Sequence, residues 1–277
     1  VQISPRYDTD PIVRLDGAPE AVRTPFLRQR RRLARALSSL SPAQWETPSR
    51  CEGWRVQDVV AHLTGTDKFW TFAIASGVAG APTRVLAAFD PKATPAAMVD
   101  AVRKASPGDT LAEYIEASGA LCATVEALDA DGWRAMAEAP VGHVSTSAVV
   151  HHALWDAWVH ERDVLGPLGI AQEEQADEIV ASLRYAAALG PAFALQSGTA
   201  HNGTLALAVE RPDTRVVVEV TDDVFVAHGD GTDDALVLTG AAVDVLEALS
   251  VRAPWRQPIP DDQAWLVSGL SQVFEAS

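Results

Sequence analysis

STSAVVHHALWDAWVHERDVLGPLG, residues 145–169, is the stretch on which the reading of the fold turns. Ser145 or Ser147 stands where a helix N-cap belongs, and Gly166-Pro167 stands where a helix stops. On an α-helix, positions four apart share a face with Cβ atoms about 5 to 6 Å from each other. His152, Asp156 and His160 therefore form one row. Asp156 and His160 are adjacent donors, one carboxylate and one imidazole, able to reach a single ion if that face points inward. The same spacing also suits an ordinary hydrogen bond within the helix.

A partner for this row lies upstream. VQDVVAHLTGTDKFWTFAIASG, residues 56–77, reads as a second long helix carrying His62, closed near Gly77. From a neighbouring helix His62 can supply a third ligand, or it can be a satisfied core histidine. Two imidazoles and one carboxylate leave coordination positions open to water or substrate, as a catalytic site for zinc or another divalent metal requires.

Two further helices complete a set of four. PFLRQRRRLARALSSLS, residues 25–41, is amphipathic, with an arginine run expected to form a solvated face. LAEYIEASGALCATVEAL, residues 111–128, is expected to be capped by Asp109 or Thr110. Residues 42–54 hold a short helical turn and a loop, the proline- and glycine-broken stretch 91–110 a short helix, and residues 129–138 a connector. Four long helices with one apolar face each make a bundle the simplest way to bury those faces.

Beyond Gly166 the character changes. A helix from about Glu173 is expected to stop at Leu189-Gly190-Pro191. Then TLALAVE (204–210), RVVVEVTD (215–222) and VFVAHG (224–229) read as short strands separated by turn residues. LVLTGAAVDVLEALSVR (236–252) reads as a strand entering a helix, and a last helix covers about 261–274. The division expected is an arm over residues 1–20, a four-helix bundle over 21–170 and a small α+β domain over 171–277.

Composition bounds the function. The chain has 277 residues, 48% hydrophobic and 21% charged, enough for a real core. Its formal charge is −15, and residues 172–277 hold only 5 basic against 17 acidic groups, so nucleic-acid binding through a basic surface is not expected. No apolar run of the ~20 residues that a membrane span needs is expected, and VQISPRYDTDPIVRLDG carries Arg and Asp where a secretory signal would be apolar. A cytoplasmic protein without membrane contact follows, as monomer or homodimer. Cys51 and Cys122 are too few for a disulfide framework or a Cys-rich zinc module, and are expected to pack as small apolar residues.

CEGWRVQDVVAHL, residues 51–63, resembles the Gly-Trp motif and histidine-bearing helix of the DinB-like metalloenzyme superfamily, specifically the mycothiol-dependent maleylpyruvate isomerase family. WDAWVHERDVLGPLG, residues 155–169, resembles that family's second motif: an acidic residue four positions before a histidine, then an aspartate three further on. LTGAAVDVLEALSVR, residues 238–252, is similar to the strand-to-helix signature of the family's sterol-carrier-like C-terminal domain. The resemblance implies a DinB-like four-helix bundle with a small α+β domain. It carries the metal ligands onto His62, Asp156 and His160, although the isomerases have glutamate where Asp156 stands, one methylene longer. His152, one turn earlier, is a candidate to compensate as a ligand or to hold the substrate.

The resemblance also implies the chemistry: a divalent metal, zinc by expectation, with mycothiol as thiol co-substrate and a small electrophile isomerised or S-alkylated. Arg252 is either a cation at a helix C-terminus or, as in the isomerases, a guanidinium that clamps a substrate carboxylate. Asp163 is read as orienting an imidazole, capping a helix or facing solvent. Trp54, which ends the loop before the His62 helix, is with Trp155 and Trp158 a wall residue first and, like His152, a candidate contact for the thiol. Two other classes fit the same residues: a metal-dependent hydrolase, and a noncatalytic small-molecule binder or regulatory protein on the same scaffold.

Overall fold

The computed structural model describes residues 5–87, 90 and 93–275. Its four long helices are α1 (Arg23–Ser38), α3 (Val56–Val78), α5 (Pro107–Glu126) and α7 (Thr146–Leu165), with the short α2 (Pro42–Trp45), α4 (Ala93–Val102) and α6 (Ala130–Arg134) between them. They pack as a bundle, α3 lying against both α5 and α7 and α1 against both α5 and α7. Local chemistry sets their starts. Ser145 accepts from the backbone N–H of Ala148 to cap α7, and the Asp58 carboxylate accepts from Arg55 N–H at 2.9 Å one turn before His62. The third long helix begins earlier than its sequence indicates: Pro107 occupies its first turn and Ser106, not Asp109 or Thr110, is the cap.

The connector at 129–145 contains α6 and a hairpin of β2 (Met136–Ala139) and β3 (Gly142–Ser145), neither anticipated from the sequence. The N-terminal arm is tied to this hairpin. Gly142 has φ of +115°, and a Cβ there would stand 2.0 Å from the Arg6 carbonyl, so only glycine admits the arm. The buried Glu138 carboxylate accepts from Tyr7, Thr83 and the amides of Val85 and Leu86 at 2.6–2.8 Å, joining arm, loop and hairpin.

The arm continues into β1 (Val13–Leu15), which forms one edge of a five-stranded sheet otherwise built from β4 (Gly203–Glu210), β5 (Thr214–Val220), β6 (Val224–His228) and β7 (Leu236–Ala241). The order is β1-β6-β5-β4-β7; the β1/β6 and β4/β7 pairs are parallel and the central pairs antiparallel. Alternate residues such as Leu205, Leu207, Val216 and Val218 are buried on one face, the period-2 pattern of a sheet covered on one side.

That cover is α8 (Ala176–Ser197), with α9 (Ala242–Leu249) and α10 (Trp265–Glu275). Contrary to the expected stop, α8 runs through Gly190-Pro191. Its Gly190 meets Gly269 of α10, where a Cβ would stand 2.0 Å from the Gly190 carbonyl, and this close crossing buries the segment around the proline. α8 is long and apolar enough by length and composition to cross a membrane, although it carries Asp177, Glu178 and Arg184; 89% of the apolar window is buried inside the protein. One face of α8 packs on α7, so bundle and sheet share a core running from Phe26 and Leu154 through Leu183 to Val218 and Leu246. A second apolar cluster, including Leu33, Val60, Leu63 and Val164, fills the bundle around the start of α3 and the end of α7.

The arginine run of α1 is a solvated face only in part: Arg31 and Arg35 are exposed, but Arg30 and Arg32 are not. Arg30 is 1% exposed and donates to Asp67 at 2.7 Å and to the Ala153 carbonyl at 3.1 Å. Arg32, also buried, is shared by Glu161 and Glu178 at 2.7 and 2.8 Å. These guanidinium groups bind α1 to α3, α7 and α8.

Candidate metal site

Helices α3 and α7 lie side by side, so that His62, two turns into α3, faces the second half of α7. There Asp156 and His160 meet it. His62 Nε2 is 3.8 Å from Asp156 Oδ2, and His160 Nε2 is 3.5 Å from Asp156 Oδ1. One ligand atom from each of the three lies within 4.8 Å of the other two. Hydrogen bonds between nitrogen and oxygen run from 2.7 to about 3.2 Å, so these contacts are too long to be direct bonds. Two donors on one tetrahedral ion, each about 2.0–2.1 Å away, stand about 3.3 Å apart. The observed separations are a few tenths of an ångström wider than that.

One buried polar atom agrees with this geometry. Asp156 Oδ2 is sealed from solvent with no hydrogen-bond partner among the described residues. An unmet carboxylate oxygen costs folding free energy unless something with positive charge reaches it. Burial works against ionisation here, yet the neighbouring imidazoles hold the Asp156 carboxyl well below the usual range. Burial likewise opposes charge on His160, but Asp156 on one side and Asp163 and Cys51 on the other outweigh it, pushing the imidazole up to about 10. The field at this point thus favours a positive charge.

Asp163 fixes the orientation of His160. Its Oδ2 accepts from His160 Nδ1 at 3.0 Å, which leaves Nε2 as the atom facing Asp156 and His62. The same carboxylate, fully buried, takes the fork of Arg252: Nε at 3.0 and 3.1 Å, and one terminal nitrogen at 3.0 Å. Cys51 donates to it at 3.2 Å and lies 3.7 Å from both His160 and Arg252. Cys51 packs against the second apolar cluster, as its isolation in sequence suggests, and its place in the loop before α3 also puts its thiol behind the site. Cys51, His160 and Asp163 also form a group with metal-ligand geometry. The guanidinium already paired with Asp163 repels a second cation there, so the His62 group is the better candidate.

The remaining expected residues surround the site. The Trp54 ring lies 5.5 Å from that of His62, and Trp158 is core. His152 does not join the ligand trio. Its Nδ1 meets the Tyr185 hydroxyl at 2.8 Å, and its ring packs against Trp70, Trp155 and Tyr185 at centroid distances of 4.8, 5.5 and 5.2 Å. Trp155 donates to Ser250 at 2.9 Å. Arg252 and Ser250 thus bring the loop after α9 against α7. Arg50 adds a third link, donating to Glu247 at 2.6 and 2.9 Å. Tyr185 and Glu247 carried no sequence signal, because their role comes from packing across more than thirty residues.

Residues 26–165 match the family model of the mycothiol maleylpyruvate isomerase N-terminal domain. Among solved structures, the chain is similar to a mycothiol-dependent maleylpyruvate isomerase at 17% identity and a TM-score of 0.62, over 87% of this chain and 95% of that one. A histidine-to-alanine mutant of that enzyme matches equally, with the same identity, coverage and TM-score. YfiT from Bacillus subtilis, described as a probable metal-dependent hydrolase with an unusual four-helix bundle topology, is less similar: 18% identity, TM-score 0.45, 55% of this chain and 89% of that one. No curated protein matches the chain.

Proposed function

The chain belongs to the family of the mycothiol maleylpyruvate isomerase N-terminal domain, and on that premise we propose that it is a divalent-metal-dependent enzyme that activates mycothiol towards a small electrophile. The product is an isomerised substrate or a retained thiol adduct. The observation that carries this reading is the convergence of His62, Asp156 and His160 at separations too long for hydrogen bonds, with Asp156 Oδ2 left unmet. Residues 21–170 hold the ion, and residues 171–277 with the edge strand β1 close the site from the other side.

Two nitrogens and one oxygen suit zinc with positions left open. When bound, such an ion favours the ionised form of a thiol at neutral pH. The chain's own groups do the rest. His62, Asp156 and His160 supply the ligands; Asp163 keeps the proton on His160 Nδ1 so that Nε2 stays available. Asp156, shorter than the family's glutamate, stands between both imidazoles with one carboxylate oxygen towards each. Trp54 covers the His62 side. Arg252, expected to clamp a substrate carboxylate, has Nε and one terminal nitrogen occupied by Asp163, while its other terminal nitrogen has only a 3.4 Å contact to the Ser250 carbonyl. We assign it to holding Asp163, with that second nitrogen as its free donor towards substrate.

Elemental analysis of purified protein tests the site: one divalent ion per chain is expected, and its loss in His62→Ala with the helical circular dichroism unchanged. Full metal content in that variant overturns the assignment. Turnover of an electrophile in the presence of mycothiol, absent without it, tests the chemistry; equal turnover without thiol would make the protein a hydrolase instead.

A further inference from the structure

His152 lies on the ligand face of α7, one turn before Asp156, yet it joins neither metal-ligand group. Its surroundings decide what the imidazole offers. The Tyr185 hydroxyl belongs to a side chain 1% exposed, and among the described residues its partner is His152 Nδ1 at 2.8 Å. A phenol shut away from water needs an acceptor for its proton. If Nδ1 carried the imidazole proton, the tyrosine O–H would be left unmet; with the O–H donating to Nδ1, both groups are satisfied. The neutral ring is therefore protonated on Nε2.

That N–H has no acceptor among the described residues. His152 is only partly buried, and Nε2 is not among the polar atoms sealed without a partner, so it reaches accessible space one turn from Asp156. The cage holds it there: Trp70 and Tyr185 flank the ring, and Trp155 is itself fixed by its 2.9 Å bond to Ser250. An N–H without an acceptor among the described residues, one turn from a site suited to a cation, describes a subsite for an oxygen atom rather than a ligand for the ion.

We propose that His152, set by Tyr185 to present Nε2–H, is a substrate-binding residue that donates to a carboxylate or carbonyl oxygen of the electrophile. This rests on the reading of His62, Asp156 and His160 as the metal group and adds the part of the substrate they do not reach.

The test titrates maleate, a planar dicarboxylate, into the metal-loaded full chain by calorimetry. Saturable binding is expected, weakened about tenfold or more by His152→Ala, the worth of one hydrogen bond to a charged oxygen. His152→Gln, which keeps an N–H donor, should recover part of the loss. Tyr185→Phe, which frees the tautomer, should fall between. All three should keep the wild-type metal content. Unchanged maleate affinity in His152→Ala, no binding by the wild-type chain at millimolar maleate, or loss of the ion from His152→Ala each overturns the proposal. Failure of the metal reading shows separately, as full metal content in His62→Ala.

Discussion

Asp163→Asn separates two jobs that one carboxylate performs. The side chain is fully buried and receives His160 Nδ1, the Cys51 thiol and the Arg252 fork. Asparagine keeps the shape but loses the charge, and its amide must turn an N–H towards at least one of these donors. Removing one partner of a buried ion pair costs about 3–5 kcal/mol, and the lower end applies because Arg252 is 26% exposed. For a chain of this size about 3 kcal/mol lowers Tm by roughly 6–12 °C. Independently, losing the group that orients a metal-binding imidazole costs about 10- to 100-fold in metal affinity. Differential scanning calorimetry reads the first and competition with a chelator reads the second. Arg252→Gln is the control: it breaks the ion pair while leaving Asp163 on His160, so it should lower Tm with a smaller change in metal affinity. Wild-type affinity and Tm in Asp163→Asn would refute the assignment of both roles.

Arg30→Met should destabilise by about 3–5 kcal/mol in urea unfolding, because Asp67 is left buried without its partner; adding Asp67→Leu should recover most of that loss, and failure to do so would mean the pair is not the cause. Burial opposes the charge of Glu138, but its hydrogen bonds from Thr83, Tyr7 and the amides of Leu86 and Val85 hold its carboxyl below the usual range. That stabilisation is present above the unfolded carboxyl pKa of about 4.3 and is lost as pH falls through the lower folded value. Glu138→Gln should therefore lower Tm at pH 7, with the gap to wild type narrowing below about pH 4; a gap constant with pH would exclude the charge as its source. Removing the ion with a chelator should abolish turnover while far-ultraviolet circular dichroism persists, since the bundle is closed by residues such as Phe26, Leu63 and Trp158.

The bundle and the small sheet were readable because each rests on a local period. Helical spacing with a cap at Ser145 and a stop at Gly166, and alternation in 204–229, depend only on neighbours in the chain. The hairpin at 136–145 was not, since its buried glutamate and alanines lack the alternation of branched residues, and its strands are held by the arm and by Glu138. Charge misled in the same way. A run of arginines looks solvated in one dimension; Arg30 and Arg32 are buried because Asp67, Glu161 and Glu178 arrive from three other helices.

For the site, sequence alone put Asp156 and His160 on one helical face, since four residues make about one turn whatever surrounds them. Whether that face looks at solvent or at His62 is a property of how α3 packs on α7. The linkage of Asp163 to Arg252, the placing of Cys51 behind His160 and the tautomer of His152 are likewise settled by contacts across 33 to 201 positions of chain. Such contacts leave no periodicity to read, because the chain entropy lost in making them is repaid only when the whole core closes.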